Sequence, residues 1–360
     1  MVVVPYEDIS NDDIVLRFLS VKDPHASIGF TNRIRFTSDE DQIAKYDFLR
    51  NYAIENNVTN VIFTGDLTNS NDEKKWLFKQ YIKNKQMFQT FTDAGINLWS
   101  VAGNHDLFNG IENTDDTVFG ELVNEKIIKH ISVENLFNYK DDKYVCIFGV
   151  DYSKNLDLVK QRLSLLNSVQ KPEGSVIGVV FHSHVTPSEI AVTDFTYESL
   201  IKEYPNIDLF ICGHYHGGFK FQHYQTNDGD KAFINDWSFQ RVVRDYYNEM
   251  DVHVPQFSDV KIAWSKAWNK FIIGVKPVTL PHKTYAETFK PKIIDLIRHS
   301  RKEHFTFFEK IRFDDIKSGS DDVETLKLLA EEDKELSPEV IQTAIQYLSE
   351  AVVSEDDEQQ

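Results

Sequence analysis

Seven short apolar runs, each about the length of a β-strand, recur along the first 235 residues of the 360-residue chain. They are IVLRFLSV (14–21), VTNVIFT (58–64), INLWSVA (96–102), YVCIFGV (144–150), SVIGVVF (175–181), IDLFIC (207–212) and KAFIN (231–235). Several are almost continuously apolar, which is typical of strands covered on both faces. Helix-like segments at 39–57, 72–95 and 197–205 lie between them. Strands that alternate with helices predict a layered α/β domain.

Polar motifs follow five of these runs directly. They are DPH (23–25), GD (65–66), GNHD (103–106), HSH (182–184) and GHYH (213–216). The carboxyl ends of parallel strands converge on the ligand-binding edge of an α/β sheet, so residues far apart in sequence are expected to meet there. The candidate site residues are Asp23, His25, Asp66, Asn104, His105, Asp106, His182, His184, His214 and His216.

This set of donors predicts a metal site. Mixed nitrogen and oxygen ligands without thiolates suit Mn, Fe or Zn better than Ca or Mg. If seven of these ten residues act as metal donors, they are too many for one tetrahedral ion. They suit two ions that share a carboxylate. Each motif alone is weak, because Gly-Asp and Gly-Asn are common turn formers and a single histidine at a strand end is usually a hydrogen-bonded surface residue. Five motifs in this order favour the metal site.

The order DPH, GD, GNHD, H and GHYH resembles that of the calcineurin-like metallophosphoesterase superfamily over about residues 14–237. The resemblance implies an α/β fold, a layered α/β-β-α sandwich, with a smaller C-terminal capping domain and a helical tail. It also implies two divalent metal ions, expected to be Mn²⁺, with Mg²⁺, Fe²⁺ or Zn²⁺ as alternatives.

The same resemblance implies a role for each site residue. One ion would be held by Asp23, His25 and His216, the other by Asn104, His182 and His214, with Asp66 between them. His105 would be the general acid or a transition-state stabiliser. Asp106 would orient His105, and His184 would contact the substrate or a ligand. Two such ions would lower the pKa of a bound water and so supply hydroxide for attack on phosphorus.

Within the superfamily the chain is similar to the SbcD-type nuclease subunit of bacteria and phages. The stretches DPHASIGF, FHSH, IDLFICGHYHGGFKF and KAFINDWSFQRVVRDY carry this similarity. It implies a homodimeric DNA exo- or endonuclease of a recombination and repair complex, which binds an SbcC-type ATPase through its C-terminal helices. The alternatives are a stand-alone cyclic-nucleotide phosphodiesterase or phosphomonoesterase and, ranked last, a non-catalytic scaffold.

The net charge of −18 is unevenly distributed. Residues 251–320 carry 13 basic and 8 acidic residues, whereas residues 321–360 carry 2 lysines and 13 acidic residues. Lysines interleaved with aromatic residues suit phosphate contact and base stacking, so Lys261, Lys266 and Lys270 are predicted DNA contacts. The alternative is that these aromatics form the core of a small cap domain. We therefore expect a metallophosphoesterase domain at 1–250, a basic capping domain at 251–318 and an acidic linker with a partner-binding helical tail at 319–360.

The remaining features bear on location and partners. No apolar run approaches the roughly 20 residues that span a membrane, and the opening MVVVPYED is too short for a signal peptide and lacks a basic leader. Cys146 and Cys212 lie in apolar runs without C-x-x-C spacing, which is typical of reduced core cysteines. The chain is therefore expected to be cytoplasmic, with no membrane partner. It has no Gly-rich Walker loop, so any ATP dependence would come from a second protein.

Overall fold

The structure is a computed structural model that describes residues 1–26, 39–68, 74–107, 114–115, 117–190, 192–227, 229–240 and 254–282. The strands are β1 (Val2–Val3), β2 (Ile14–Val21), β3 (Asn60–Phe63), β4 (Asn97–Ser100), β5 (Ile128–His130), β6 (Leu136–Lys140), β7 (Lys143–Val150), β8 (Ser175–Ser183), β9 (Val185–Thr186), β10 (Phe195–Thr196), β11 (Leu209–His214), β12 (Gln222–Thr226), β13 (Gly229–Ile234), β14 (Gln256–Ser265) and β15 (Lys270–Thr279). The helices are α1 (Asp39–Glu55), α2 (Lys74–Asp93), α3 (Val118–Asn124), α4 (Leu156–Asn167) and α5 (Tyr197–Glu203).

Two sheets organise these elements. The first has the strand order β1-β15-β14-β2-β3-β4-β5, and the second has the order β12-β13-β11-β8-β7-β6. Strands β2 to β5 are parallel to one another, as are β7, β8, β11 and β13. Parallel neighbours require long crossover connections, and α1 and α2 connect the strands β2, β3 and β4 in this way. The carboxyl ends of the parallel strands in each sheet therefore lie along one edge.

The sheets pack face to face, with helices covering their outer faces. In β11, Leu209 and Ile211 belong to the core between the sheets, whereas Phe210 and Cys212 belong to the core shared with α4 and α5. This alternation follows from the two-residue period of a strand and explains why the runs are apolar throughout. Each fully buried aliphatic or phenyl side chain contributes about 1.5–3 kcal/mol. The layered α/β-β-α sandwich expected from the sequence is confirmed.

On the helical side, burial follows the period of an α-helix. In α1, Tyr46, Leu49 and Ala53 are buried against the first sheet, where Phe88 from α2 joins them. Their spacing of three and four residues places them on one stripe of the helix. None of the described helices combines the length and the apolar character needed to cross a membrane.

The β14–β15 hairpin completes the first sheet. β14 pairs antiparallel with β2, so that Lys261 lies opposite Arg17 and Ser258 lies opposite Ser20. This differs from the expected start of a separate capping domain at residue 251, because residues 256–279 complete the sheet that begins at the N-terminus. The rest of the expected capping domain, from residue 283, and the helical tail lie outside the described residues.

Candidate metal centre

The five polar motifs meet where the strands end. β2, β3 and β4 of the first sheet lead into DPH, GD and GNHD, and β8 and β11 of the second sheet end in the two histidine motifs. The closest side-chain atoms of different motifs lie within hydrogen-bonding distance of each other. The prediction that these residues share one edge therefore agrees with their positions.

One cluster of donors consists of His25, Asp66 and His216, which we name the first ligand group. The Nε2 atoms of the two histidines are 3.1 Å apart. His25 Nε2 is 3.6 Å from Asp66 Oδ2. The donor atoms of this group all lie within 4.8 Å of one another, which is close enough to contact one ion.

A second ligand group consists of Asp66, His182 and His214. His182 Nε2 lies 3.3 Å from Asp66 Oδ2 and 3.1 Å from His214 Nδ1. The amide oxygen of Asn104 is 3.1 Å from the same His182 nitrogen, which places Asn104 in this cluster as well. Asp66 belongs to both groups, as the resemblance implies for the shared carboxylate.

Asp23 lies beside these groups but in neither of them. Its side chain is buried, and both carboxylate oxygens accept from the backbone N–H of His214 at 3.0 Å. Asp23 Oδ1 is also 3.6 Å from His182 Nδ1. The carboxylate thus adds buried negative charge to the centre.

The chemistry of the donors fits divalent cations. His182 Nδ1 lies 2.8 Å from the backbone carbonyl of Thr64; a proton held there is donated to that oxygen and leaves Nε2 free to bind metal. Within the described part of the chain, the ion-pair partners of the buried Asp23 and Asp66 are histidines. Buried carboxylates that face imidazole nitrogens are the ligands expected for Mn, Fe or Zn.

The pKa values of the two histidines in the second ligand group are shifted in opposite directions. Burial lowers the pKa of His182, but the Asp66 and Asp23 carboxylates outweigh it and raise that pKa to about 9. Burial and the neighbouring His182 lower the pKa of His214 to about 2. Burial would raise the pKa of Asp66, yet His182 and His105 hold it well below its usual range. The two carboxylates therefore favour a proton on His182 over one on His214.

Three glycines allow these loops to approach one another. A Cβ added at Gly213 would lie 2.1 Å from the Thr64 carbonyl oxygen, and one at Gly103 would lie 2.1 Å from the Asp66 backbone nitrogen. Gly65, with φ +94°, would bring a Cβ to 2.5 Å from His182 Nδ1. The glycine before each of Asp66, Asn104 and His214 is thus required by close packing between loops.

A family model for calcineurin-like phosphoesterases matches residues 16–218, the span that contains all of these motifs. The chain belongs to the calcineurin-like phosphoesterase family. The chain matches no curated protein sequence.

The solved structures to which the chain is similar share little sequence with it. The Thermus thermophilus protein TT1561 is 13% identical at a TM-score of 0.39, over 72% of this chain and 98% of its own. A dimetal phosphatase from Danio rerio is 12% identical at a TM-score of 0.39, over 75% and 100%. GAP50, the anchor in the inner membrane complex of Plasmodium, is 13% identical at a TM-score of 0.37, over 77% and 94%.

His105 lies next to Asp66, the carboxylate that belongs to both ligand groups. Its backbone N–H donates to Asp66 Oδ1 at 2.8 Å, and its ring meets that of His25 edge to face at 4.9 Å between centroids. The side chain is half-buried, in contrast to the buried His25. His105 therefore lies beside both ligand groups without belonging to either of them.

Asp106 connects two loops. Its buried carboxylate accepts from the backbone N–H groups of Leu67, Thr68 and Gly103 at 2.7–3.0 Å, and from the Thr68 hydroxyl at 2.9 Å. Burial and the nearby Asp66 raise the pKa of Asp106 to about 7, against the opposing effect of these amides. The resemblance implies that Asp106 orients the His105 ring, and these bonds hold the GNHD and GDLT loops together.

Aromatic rings border the second ligand group, and the sequence motifs did not reveal all of them. The His184 ring meets the His214 ring edge to face at 4.0 Å, and the Tyr152 ring lies 5.4 Å from His214 and 6.0 Å from His182. Tyr152 follows β7. This strand corresponds to the predicted run 144–150, to which no polar motif was assigned. Its place two residues past a strand end was the available signal.

The three predicted DNA contacts occupy other positions. Lys261 is buried, with Nζ 3.3 Å from the Ile9 carbonyl oxygen and 4.1 Å from the centre of the Tyr6 ring, so the expected surface contact is wrong for this residue. Lys266 and Lys270 are exposed at the β14–β15 turn. That turn lies beyond the start of β2, roughly 25 Å along the strand from the ligands that follow its end.

Proposed function

We propose that the chain is a divalent-metal-dependent phosphodiesterase that cleaves DNA. The observation that carries the proposal is the pair of ligand groups sharing Asp66, in a chain of the calcineurin-like phosphoesterase family. Two ions bound by these groups would supply charge stabilisation for a phosphoryl group and activation of water. The donors for both ions are preorganised on strand ends, where packing fixes them.

In this proposal His105 donates a proton to the leaving oxygen. The bond from its backbone to Asp66 places it at the carboxylate shared by both groups, while its ring is half-buried beside His25. A ring in this position can reach a phosphoester held at the centre without itself binding metal. General acid catalysis of this kind contributes about 10²- to 10⁴-fold to the rate.

Two further groups fix the positions of the metal donors and of His105. The Thr64 carbonyl fixes the orientation of the His182 ring through Nδ1, so that Nε2 points at the cluster. Asp106 holds the loop of His105 against the loop of Asp66 through backbone amides. Loss of either contact would displace donors by fractions of an ångström, which is enough to slow a reaction that depends on alignment.

The finer proposal is a homodimeric nuclease subunit of an SbcCD-like recombination and repair complex, with Mn²⁺ as metal and a cytoplasmic location. Its support is the similarity of the DPHASIGF, FHSH and KAFINDWSFQRVVRDY stretches to SbcD-type nucleases. The C-terminal helices proposed to bind an SbcC-type ATPase lie outside the described residues. Of the predicted lysine contacts, Lys266 and Lys270 lie far from the ligand groups, so we assign them no part in cleavage.

The test compares Mn²⁺-dependent hydrolysis of linear duplex DNA, single-stranded DNA and bis-p-nitrophenyl phosphate by the wild type and His105→Ala. We expect cleavage of DNA by the wild type and a loss of about 10²- to 10⁴-fold in the variant. A matched control is the double variant Lys266→Ala/Lys270→Ala at the far end of the sheet, whose cleavage rate should equal that of the wild type. Hydrolysis of the small ester with DNA left intact would overturn the DNA proposal and favour a small-molecule phosphodiesterase.

A further inference from the structure

Tyr152 is fixed at the edge of the second ligand group. Its ring lies 5.4 Å from that of His214 and 6.0 Å from that of His182. The side chain is partly exposed, and its hydroxyl makes no hydrogen bond to the described part of the chain. The ring also packs against the buried cluster beside the first sheet. A rigid aromatic ring with a polar end thus borders the metal ligands.

Backbone contacts between the two sheets set the position of this ring. The N–H of Tyr152 donates to the Ala102 carbonyl at 2.8 Å, and the N–H of Ala102 donates to Asp151 Oδ1 at 2.8 Å. Ala102 lies two residues before the metal-site residue Asn104 in the GNHD loop. Tyr152 is therefore held at a fixed distance from the loop that carries His105.

Two more rings, those of His184 and Tyr215, lie next to the second ligand group. The His184 ring is 4.0 Å from that of His214, and the Tyr215 ring is 6.0 Å from that of His184. Tyr215 stacks on Phe219 at 5.7 Å with 17° between the planes. A Cβ added at Gly217 would lie 2.5 Å from the Tyr215 ring, so this glycine lets the ring lie against the backbone. The Tyr215 ring is therefore held near the His184 ring.

We propose that Tyr152, His184 and Tyr215 form a stacking subsite, the aromatic rim, that receives the nucleobase next to the scissile phosphate. The inference rests on the proposed function, because it names the part of a DNA substrate that the rim binds. All nucleobases have a π-face, so a rim of rings binds single-stranded DNA without selecting a sequence. A base stacked beside His214 places its own phosphate at the ligand groups.

The test measures how much the base adds to binding. Titration calorimetry with Mn²⁺ present compares deoxythymidine 5′-monophosphate with 2-deoxyribose 5-phosphate, which lacks the base. Stacking contributes about 1–3 kcal/mol per base, so the wild type should prefer the nucleotide by about 5- to 150-fold. Tyr152→Leu should reduce this preference to less than about 3-fold, and Tyr152→Phe, which keeps the ring, should retain it.

Two outcomes would overturn the proposal of the aromatic rim. Equal binding of both ligands by the wild type, or a full preference in Tyr152→Leu, would do so. Mn²⁺ affinity is measured on each variant, since a merely structural role for Tyr152 would lower binding of metal and of both ligands alike. If Tyr152→Leu does not fold, Tyr215→Leu at another residue of the aromatic rim provides the same comparison.

DNA cleavage by the wild type, measured separately, distinguishes the two proposals. A base preference without DNA cleavage would overturn the proposed function and support the subsite. Cleavage without any base preference would overturn the subsite alone.

Discussion

Four residues of the metal centre adopt a left-handed backbone that is unusual for residues other than glycine. They are Asp23, His25, Asp66 and His214, with φ between 43° and 84°. Such a conformation costs of order 1–3 kcal/mol at a position where the surrounding structure enforces it. Its concentration here indicates that the loops are shaped to aim side chains at a common point. The glycines before three of the ligands serve the same purpose by removing a side chain.

Gly213→Ala should destabilise the protein and weaken Mn²⁺ binding. The added methyl group would overlap the Thr64 carbonyl, which also orients His182. Overpacking of this kind costs about 1–3 kcal/mol. Urea unfolding and Mn²⁺ titration measure the two effects.

Gly95→Ala is the matched control for this prediction. Gly95 has φ +77° and no atom within 4 Å of an added Cβ, so the substitution strains the backbone without a clash. It should cost about 1–2 kcal/mol and leave Mn²⁺ affinity unchanged. Equal Mn²⁺ affinities for Gly213→Ala and the wild type would contradict the proposed role of the close approach.

At the scale of elements, Asp151 joins the end of β7 to the ends of β4 and β5. Its Oδ1 accepts from the Ala102 N–H at 2.8 Å, from the Ser132 hydroxyl at 2.6 Å and from His130 Nε2 at 2.9 Å. β7 belongs to the second sheet, whereas β4 and β5 belong to the first. The carboxylate is thus a polar contact between the sheets next to the GNHD loop.

Asp151→Asn should destabilise the metal-free protein in a pH-dependent manner. Burial would raise the pKa of Asp151, but hydrogen bonds from His130, Ser132 and Ala102 lower it below the ordinary value. A depressed pKa in the folded state stabilises the protein above the unfolded pKa of about 3.9, and that contribution is lost as the pH falls through the folded pKa. We expect a difference of about 1–3 kcal/mol at pH 7 that shrinks below about pH 4.

Urea unfolding in EDTA, repeated from pH 7 down to pH 3, checks this expectation. Ser132→Ala removes only one of the donors to the carboxylate and should have a smaller effect than Asp151→Asn at pH 7. A difference between the wild type and Asp151→Asn that stays constant over the whole range would contradict the electrostatic origin of the effect.

At the scale of the whole molecule, Asp259 connects residues more than 200 positions apart. Its buried carboxylate accepts from the Tyr6 hydroxyl at 2.7 Å, from Arg17 Nη2 at 2.7 Å and from the Tyr52 hydroxyl at 3.0 Å. These bonds join β14 to β2, to α1 and to the N-terminal segment. A residue from the segment expected to form a separate domain is therefore part of the main core.

Asp259→Asn should cost about 3–5 kcal/mol, because it leaves the partly buried Arg17 without its counter-charge. Thermal or urea unfolding measures this loss. The control is Asp47→Asn, which removes an exposed partner of Arg50 and should change stability by less than about 1 kcal/mol. Equal stabilities of the Asp259 variant and the wild type would show that the buried pair is not a net contributor.

The sequence predicted the parts of this architecture that depend on local pattern. Each parallel strand that carries a ligand is a buried apolar run followed at once by a polar motif, so the pattern alone places His182 and His214 at strand ends. Helix α4 was missed, although Asn155 caps its first turn through a bond to the Asp157 N–H. A cap with an apolar stripe behind it was the available signal.

The pairing of β14 with β2 could not be predicted in the same way. It depends on contacts such as Lys261 opposite Arg17, which no local period encodes. Lysine content suggested a surface that binds DNA, but an aliphatic stem can lie along apolar groups with the charge over the Tyr6 ring. Tyr152 was missed because only the packing of the two sheets brings it to the ligands.

Each ligand group draws on both sheets: His25 and Asp66 follow strands of the first sheet, whereas His182, His214 and His216 lie in or after strands of the second. A cation held by either group would therefore act as a cross-link between the two halves of the sandwich. Separation of the sheets would require release of the ion, and the free energy of binding would add to the free energy of unfolding. The ions that would assist the reaction would then also stabilise the contact between the two sheets.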